Sequence, residues 1–117
     1  MTGLDDSQPI YLQLRQRVIS RILTGDLKAG DALPSVRQVA GTERVNPLTV
    51  SKAYQLLVDE GLIHKRRGLG MFVSDGAPQA ALNAERERFL NEEWPRVAER
   101  IGQLGLDPQT LLKRDRR

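Results

Sequence analysis

The chain has no cysteine and a single histidine in 117 residues. No disulfide framework and no thiolate metal site is open to it, and one histidine, His64, cannot build a metal centre unaided. Absence of cysteine suits a reducing cytosol, so a cytoplasmic location is expected. No segment approaches the ~18 consecutive apolar residues of a membrane span. The opening Met1-Thr2-Gly3-Leu4-Asp5-Asp6 is acidic and polar and does not resemble a secretion signal. Also missing are a catalytic carboxylate pair, a nucleophile–base set and a glycine-rich phosphate loop with its lysine. No enzyme chemistry, cofactor or metal is expected. The length leaves room for one small domain plus an appendage, and there is no repeat or low-complexity tract.

The net charge is +3, and its distribution says more than its size. Residues 1–74 hold ten Lys/Arg and seven Asp/Glu, whereas residues 75–117 hold eight of each. A basic front and a neutral tail fit a nucleic-acid head on a protein-binding tail. A generic soluble protein with scattered charges is the competing reading on charge alone.

Periodicity predicts a first helix from Ile10 to Thr24, opened by Pro9 and stopped by Gly25. Its apolar stripe is Tyr11, Leu14, Val18 and Ile22, widened by Ile19 and Leu23, with Arg15, Arg17 and Arg21 facing elsewhere. Ala32-Leu33 reads as a very short strand. Ser35 caps a second helix whose apolar face is Val36, Val39 and Ala40. Asn46 caps a third, with Pro47 at its first position and Gly61 at its end. Leu62 to Arg66 and Met71 to Val73 read as strands joined by the turn Arg67-Gly68-Leu69-Gly70. Asp75-Gly76-Ala77-Pro78 reads as a linker. A helical stretch from about Gln79 to Gln103 follows, then a short helix from Pro108 capped by Asp107. The fold class is therefore mainly α with a small β-hairpin wing. A winged helix-turn-helix over residues 1–74 is followed by a helical dimerisation tail over residues 75–117.

The third helix has two faces. Val50, Ala53, Tyr54 and Leu57 fall together and should pack on the first helix. Leu48, Ser51, Lys52 and Gln55, flanked by Thr49, form a short polar and cationic face of a kind that enters a DNA major groove. Taken alone, such a face is more often merely solvated. The hairpin changes that balance, because Lys65-Arg66-Arg67 ahead of Gly68 and Gly70 costs self-repulsion that a polyphosphate partner relieves. Arginine also suits bidentate phosphate contact and minor-groove insertion. Arg37, in the first turn of the second helix, is placed to reach a base or phosphate.

Several ordered motifs resemble the GntR-type transcription regulators. They are Pro9-Ile10-Tyr11-Leu12-Gln13, Gly25-Asp26-Leu27, Gly30 to Arg37, Val45 to Val50, Ala53-Tyr54, Glu60-Gly61-Leu62-Ile63 and Arg66 to Val73. Together they cover about residues 9–74. The short tail is similar to that of the YtrA subfamily. The resemblance implies a dimeric repressor of a short palindromic operator on double-stranded DNA, often controlling its own operon with transport genes. It implies operator contacts from Arg37, Asn46, Thr49, Ser51 and Lys52, wing-tip contacts from Arg67 and Gly68 beside Arg66, and a phosphate-binding helix start at Ser35. Two positions depart from the family pattern, where leucine and then glycine are usual. Glu43 lies on a face that should be buried, so it is expected at the rim or paired with a cation, with the second helix ending early. Arg44 must accept a left-handed conformation or force a different turn, and its cation is a candidate phosphate contact.

In the tail, Leu90, Trp94, Val97, Ile101 and Leu104 are spaced 4, 3, 4 and 3, a heptad seam. Packing on the chain's own core competes with dimerisation as its use. Pro95 should kink or split this helix. Leu106, Leu111 and Leu112 are expected to cover the seam, and a crevice beside Phe89 and Trp94 is a candidate site for a small effector. The terminal Lys113-Arg114-Asp115-Arg116-Arg117 is expected to fray and to add nonspecific DNA affinity.

Overall fold

The computed structural model describes residues 8–114; residues 1–7, with the opening segment, and Asp115 to Arg117 lie outside it. The chain divides into two compact units between Leu82 and Asn83. In chain order the elements are α1 (Ile10–Leu23), α2 (Val36–Glu43), α3 (Pro47–Asp59), β1 (Ile63–Arg66), β2 (Gly70–Val73), α4 (Ala77–Arg88), a π-helical turn (Phe89–Glu93), α5 (Trp94–Gln103) and α6 (Pro108–Arg114).

The first unit is a helical head with a hairpin wing. Its core is closed by Val50 and Leu57 of α3, Ile63 of β1 and Val73 of β2, all essentially inaccessible to solvent. Leu14, Ile19 and Ile22 pack on them from α1. Leu23 does not join the stripe; it is 38% exposed at the helix end, just before the turn at Gly25. The expected strand at Ala32-Leu33 is a single bridge from Ala32 to Phe72. Around it the Val73 amide donates to the Asp31 carbonyl and the Leu33 amide to the Met71 carbonyl, each at 2.8 Å. These bonds tie β2 to the segment that delivers α2.

α2 starts with a capping box. The Gln38 amide donates to Ser35 Oγ, and the Ser35 amide donates to Gln38 Oε1, satisfying two backbone donors the helix would leave free. The helix runs through Glu43, so it does not end ahead of that residue. Glu43 is half-buried and Arg17 Nη1 donates to its Oε1 at 2.8 Å, which removes the cost of an unpaired carboxylate there. Arg44 ends the helix in the left-handed conformation, φ 56° and ψ 48°, with its amide bonded to the Ala40 carbonyl. That conformation costs roughly 1–2 kcal/mol for a residue with a Cβ. A cation at a helix C-terminus returns only about 0.3–1 kcal/mol.

α3 begins where Asn46 Oδ1 accepts the Leu48 amide at 2.8 Å, with Pro47 in the first turn. It ends at Gly61, whose φ of 75° lets the Leu62 amide reach back to the Leu57 carbonyl at 3.0 Å. The wing pairs antiparallel, Ile63 with Val73 through Arg66 with Gly70. This leaves a three-residue tip, Arg67 to Leu69, with Gly68 at φ 78°.

The expected linker is a turn at Asp75-Gly76 followed at once by α4. Ala77 and Ala81 are buried in the head's core, and Pro78 in the first turn sacrifices no needed donor, so the chain becomes helical earlier than the sequence indicates. In the second unit the helix passes through the π-helical turn into α5. Pro95 stands in the first turn of α5, directly after the π-helical turn that separates α5 from α4, so the regular α-helix is interrupted at the proline. The turn immediately ahead of the proline is wider, and the Trp94 amide reaches back to the Phe89 carbonyl, which accommodates a ring that would clash with a regular preceding turn. Asp107 caps α6, accepting from the Gln109 amide and the Thr110 hydroxyl.

Candidate nucleic-acid interface

The head's charges are sorted by ion pairing. The five carboxylates between Gln8 and Ser74 are all engaged. Arg15 grips Glu60 through two nitrogens at 2.6 and 2.8 Å, Arg17 holds Glu43 and Arg21 holds Asp26 at 2.6 Å. Asp31 accepts the Lys28 amide and Asp59 accepts from Gln55. Exposed pairs contribute at most about 1 kcal/mol each to stability; their consequence here is distribution. The arginines of α1 are neutralised, while Arg37, Arg44, Lys65 and Arg67 stay exposed with no partner among the described residues. These four stand at the start of α2, in the turn before α3 and on the wing; a fifth, Lys28, lies apart in the turn after α1, where only its backbone amide is bonded.

Between these elements lies a groove of about 690 Å³. Its walls include Ser35 and Gln38 from α2, Ser51 and Gln55 from α3, and Lys65 and Leu69 from the wing. Of the residues singled out from sequence, the groove brings Ser35, Ser51, Gln55 and Lys65 together. Arg37, Asn46, Thr49, Lys52, Arg66, Arg67 and Gly68 lie outside its lining. Thr49 is half-buried, and the others are exposed. Gln38 and Leu69 complete it, and the Ser35-Val36-Arg37-Gln38 spacing of a capping box was the sequence signal for the first. Leu48 is 77% exposed on the leading turn of α3. Asn46 uses its carbonyl oxygen as the cap.

Two cations are preset by aromatic rings. Lys52 Nζ stands 3.9 Å from the centre of the Tyr11 ring, and the Arg66 guanidinium 5.0 Å from that of Phe72. At exposed sites such contacts are worth about 0.5–1 kcal/mol, enough to orient a side chain and too little to withhold it from a phosphate. Phe72 is also stacked on His64, whose Nδ1 lies 3.0 Å from Ser74 Oγ. His64 is thus a wing-surface residue, and no cluster of three or more metal-ligating side chains occurs among the described residues.

Tyr54 fixes the geometry. Its ring belongs to the core, and its hydroxyl donates to the Pro34 carbonyl at 2.6 Å. One bond thereby locks α3 to the residue ahead of the α2 cap. Burial pushes the phenol from 10.0 up to about 12, partly opposed by the charge of Arg21. The unfolded chain loses this proton near pH 10 and the folded head near pH 12. Stability is therefore intact below pH 10 and falls between pH 10 and 12, by roughly 2–3 kcal/mol. Urea unfolding of wild type and Tyr54→Phe at pH 9 and pH 11.5 checks this. The variant should lack that part of the alkaline loss, and equal losses would refute the assignment.

A compact helical head, a helix with a polar leading edge, and a basic hairpin beside it define a winged helix-turn-helix DNA-binding module. The family model for bacterial regulatory proteins of the gntR family matches residues 10–73. The chain belongs to the GntR family and is a DNA-binding transcription regulator, not an enzyme. It is 48% identical over 71 residues to the HTH-type transcriptional repressor YtrA of Bacillus subtilis; that match spans 61% of this chain and 55% of the relative. Its fold is similar to that of a GntR family transcriptional regulator from Listeria monocytogenes, with TM-score 0.76, 28% identity, and 94% and 95% of the two chains covered. It is also similar to AraR(DBD), solved in complex with operator ORE1, with TM-score 0.56, 26% identity, and 63% and 93% covered. No helix among the described residues is long and apolar enough to cross a membrane.

Proposed function

We infer that the chain is a dimeric repressor that reads a palindromic operator. α3 enters the major groove with Asn46, Thr49, Ser51 and Lys52 leading, while Ser35 and Arg37 meet the flanking backbone and bases. Arg66, Arg67 and Gly68 at the wing tip meet the adjacent minor groove. The observation that carries this reading is the charge sorting. Every carboxylate from Gln8 to Ser74 is engaged, and all but one of the unpartnered cations there, Lys28 after α1, lie at the start of α2, in the turn before α3 and on the wing.

Dimerisation rests on the second unit. None of its described residues is buried, and seven of the eleven exposed large hydrophobic residues among the described residues belong to it. Trp94, Val97 and Ile101 lie on α5 with Leu104 at its end and Leu90 in the π-helical turn. Leu106 lines an apolar groove with Val97, Ile101 and Leu104. The expected cover is incomplete, for Leu112 is 77% exposed and only Leu111 is half-buried. Phe89 and Trp94 do not line this groove, so it differs from the crevice expected beside them. A second copy of the same seam supplies the missing cover, and two heads read two half-sites. Selection of bound duplexes from a random pool tests the reading; it should return an inverted repeat.

A further inference from the structure

Arg44 is the only described residue other than glycine with a positive φ. The left-handed turn lets the Arg44 and Val45 amides close α2 on the Ala40 carbonyl, a backbone cap that glycine would make at lower cost; the Arg44 side chain adds nothing to it. The side chain is exposed and has no hydrogen bond, ion pair or ring contact with a described residue. Attraction to the carbonyl end of α2 offsets part of the strain, but a cation inside the last turn would gain the same attraction at an ordinary φ. Glu43 next to it would be the natural partner, yet it is held by Arg17. The Glu43-Arg44 pair therefore separates its charges. The anion is neutralised against α1, and the cation is left free in the turn two residues ahead of the Asn46 cap.

The geometry points to Arg44 as a further DNA contact, a phosphate clamp at the entrance of the recognition helix. The inference rests on the reading that α3 lies in the major groove. A helix that enters the groove by its N-terminus leaves the residues ahead of its cap at the groove's rim, where phosphates stand and base edges are out of reach. A long cationic side chain kept at a left-handed cap that glycine would fill with less strain, and with no side-chain partner there, fits a role outside the fold.

The test uses Arg44→Gly and Arg44→Asn, which remove the charge and suit a left-handed backbone, so the fold should survive. Arg44→Gly should also raise the Tm. Binding is measured over a salt series on the duplex selected by the wild-type chain and on a scrambled duplex. Affinity for both should fall several-fold at about 0.1 M salt and by the same factor, with the slope of log K against log salt reduced by about one per chain. Arg44→Lys should restore the slope. Wild-type affinity and slope in the neutral variants would overturn the proposal, as would a loss confined to the selected duplex, which marks a base reader. A wild-type chain that binds no duplex overturns the underlying reading, and that outcome appears before any variant is made.

Discussion

Val97→Asp combined with Ile101→Asp is expected to turn the chain into a monomer and to weaken operator binding by roughly 10²–10⁴-fold. The factor follows from linkage. Once one head is bound, its tethered partner meets the second half-site at a high effective concentration, and separate heads lose that advantage. Both residues lie on the apolar side of α5, Ile101 half-buried and Val97 44% exposed. Two carboxylates facing their symmetry mates would be desolvated and would repel each other. The head should be untouched, because its buried core ends at Ala81. Sedimentation velocity reads the mass, and fluorescence anisotropy reads the affinity for one and for two half-sites. A variant that is monomeric yet binds the full operator as the wild type does would remove the tail from the account. A variant that stays dimeric would move the interface elsewhere.

Arg37→Ala together with Arg67→Ala is expected to cost roughly 1–3 kcal/mol of operator affinity per contact and to leave stability within about 0.5 kcal/mol of wild type. The contrast is the point. Both arginines are exposed and without partners among the described residues, so the fold loses nothing when they go. Truncating Arg15 instead would strip Glu60 of its bidentate partner without touching the reading face. The single variants then separate roles. A base contact relaxes specificity at one position, whereas a phosphate contact lowers the salt slope by about one. Gel-shift titration at two salt concentrations, paired with urea unfolding, decides it. Unchanged binding in both variants would count against the interface.

Local rules made most of the head legible. Ser35 and Asn46 were readable as caps, Pro47 as a first helical residue, Gly61 as a stop and Gly68 as a turn, because each acts on backbone within a few residues. Helical spacing placed Val50, Ala53, Tyr54 and Leu57 in the core for the same reason. Long-range contacts were not legible. Nothing near Tyr54 announces its bond to Pro34, twenty residues away, and nothing near Lys52 announces Tyr11. For Glu43 the sequence signalled a need for a cation, but the choice of Arg17 required the packing of the head. The tail misled at its start. Ala77 is a small residue in a Gly/Pro-rich stretch that reads as linker, yet its methyl is buried in the head. Pro95 reads as a kink or a split, and the interruption takes the form of a π-helical turn just ahead of it, which the sequence does not announce.

The most direct test is what the purified 117-residue chain selects from a pool of random duplexes. The expected product is an inverted repeat whose half-sites are centred about one helical turn apart, roughly 34–36 Å, or a multiple of it. Enrichment of no sequence, or of one without two-fold symmetry, would contradict a dimer that reads two half-sites through α3 and the wing.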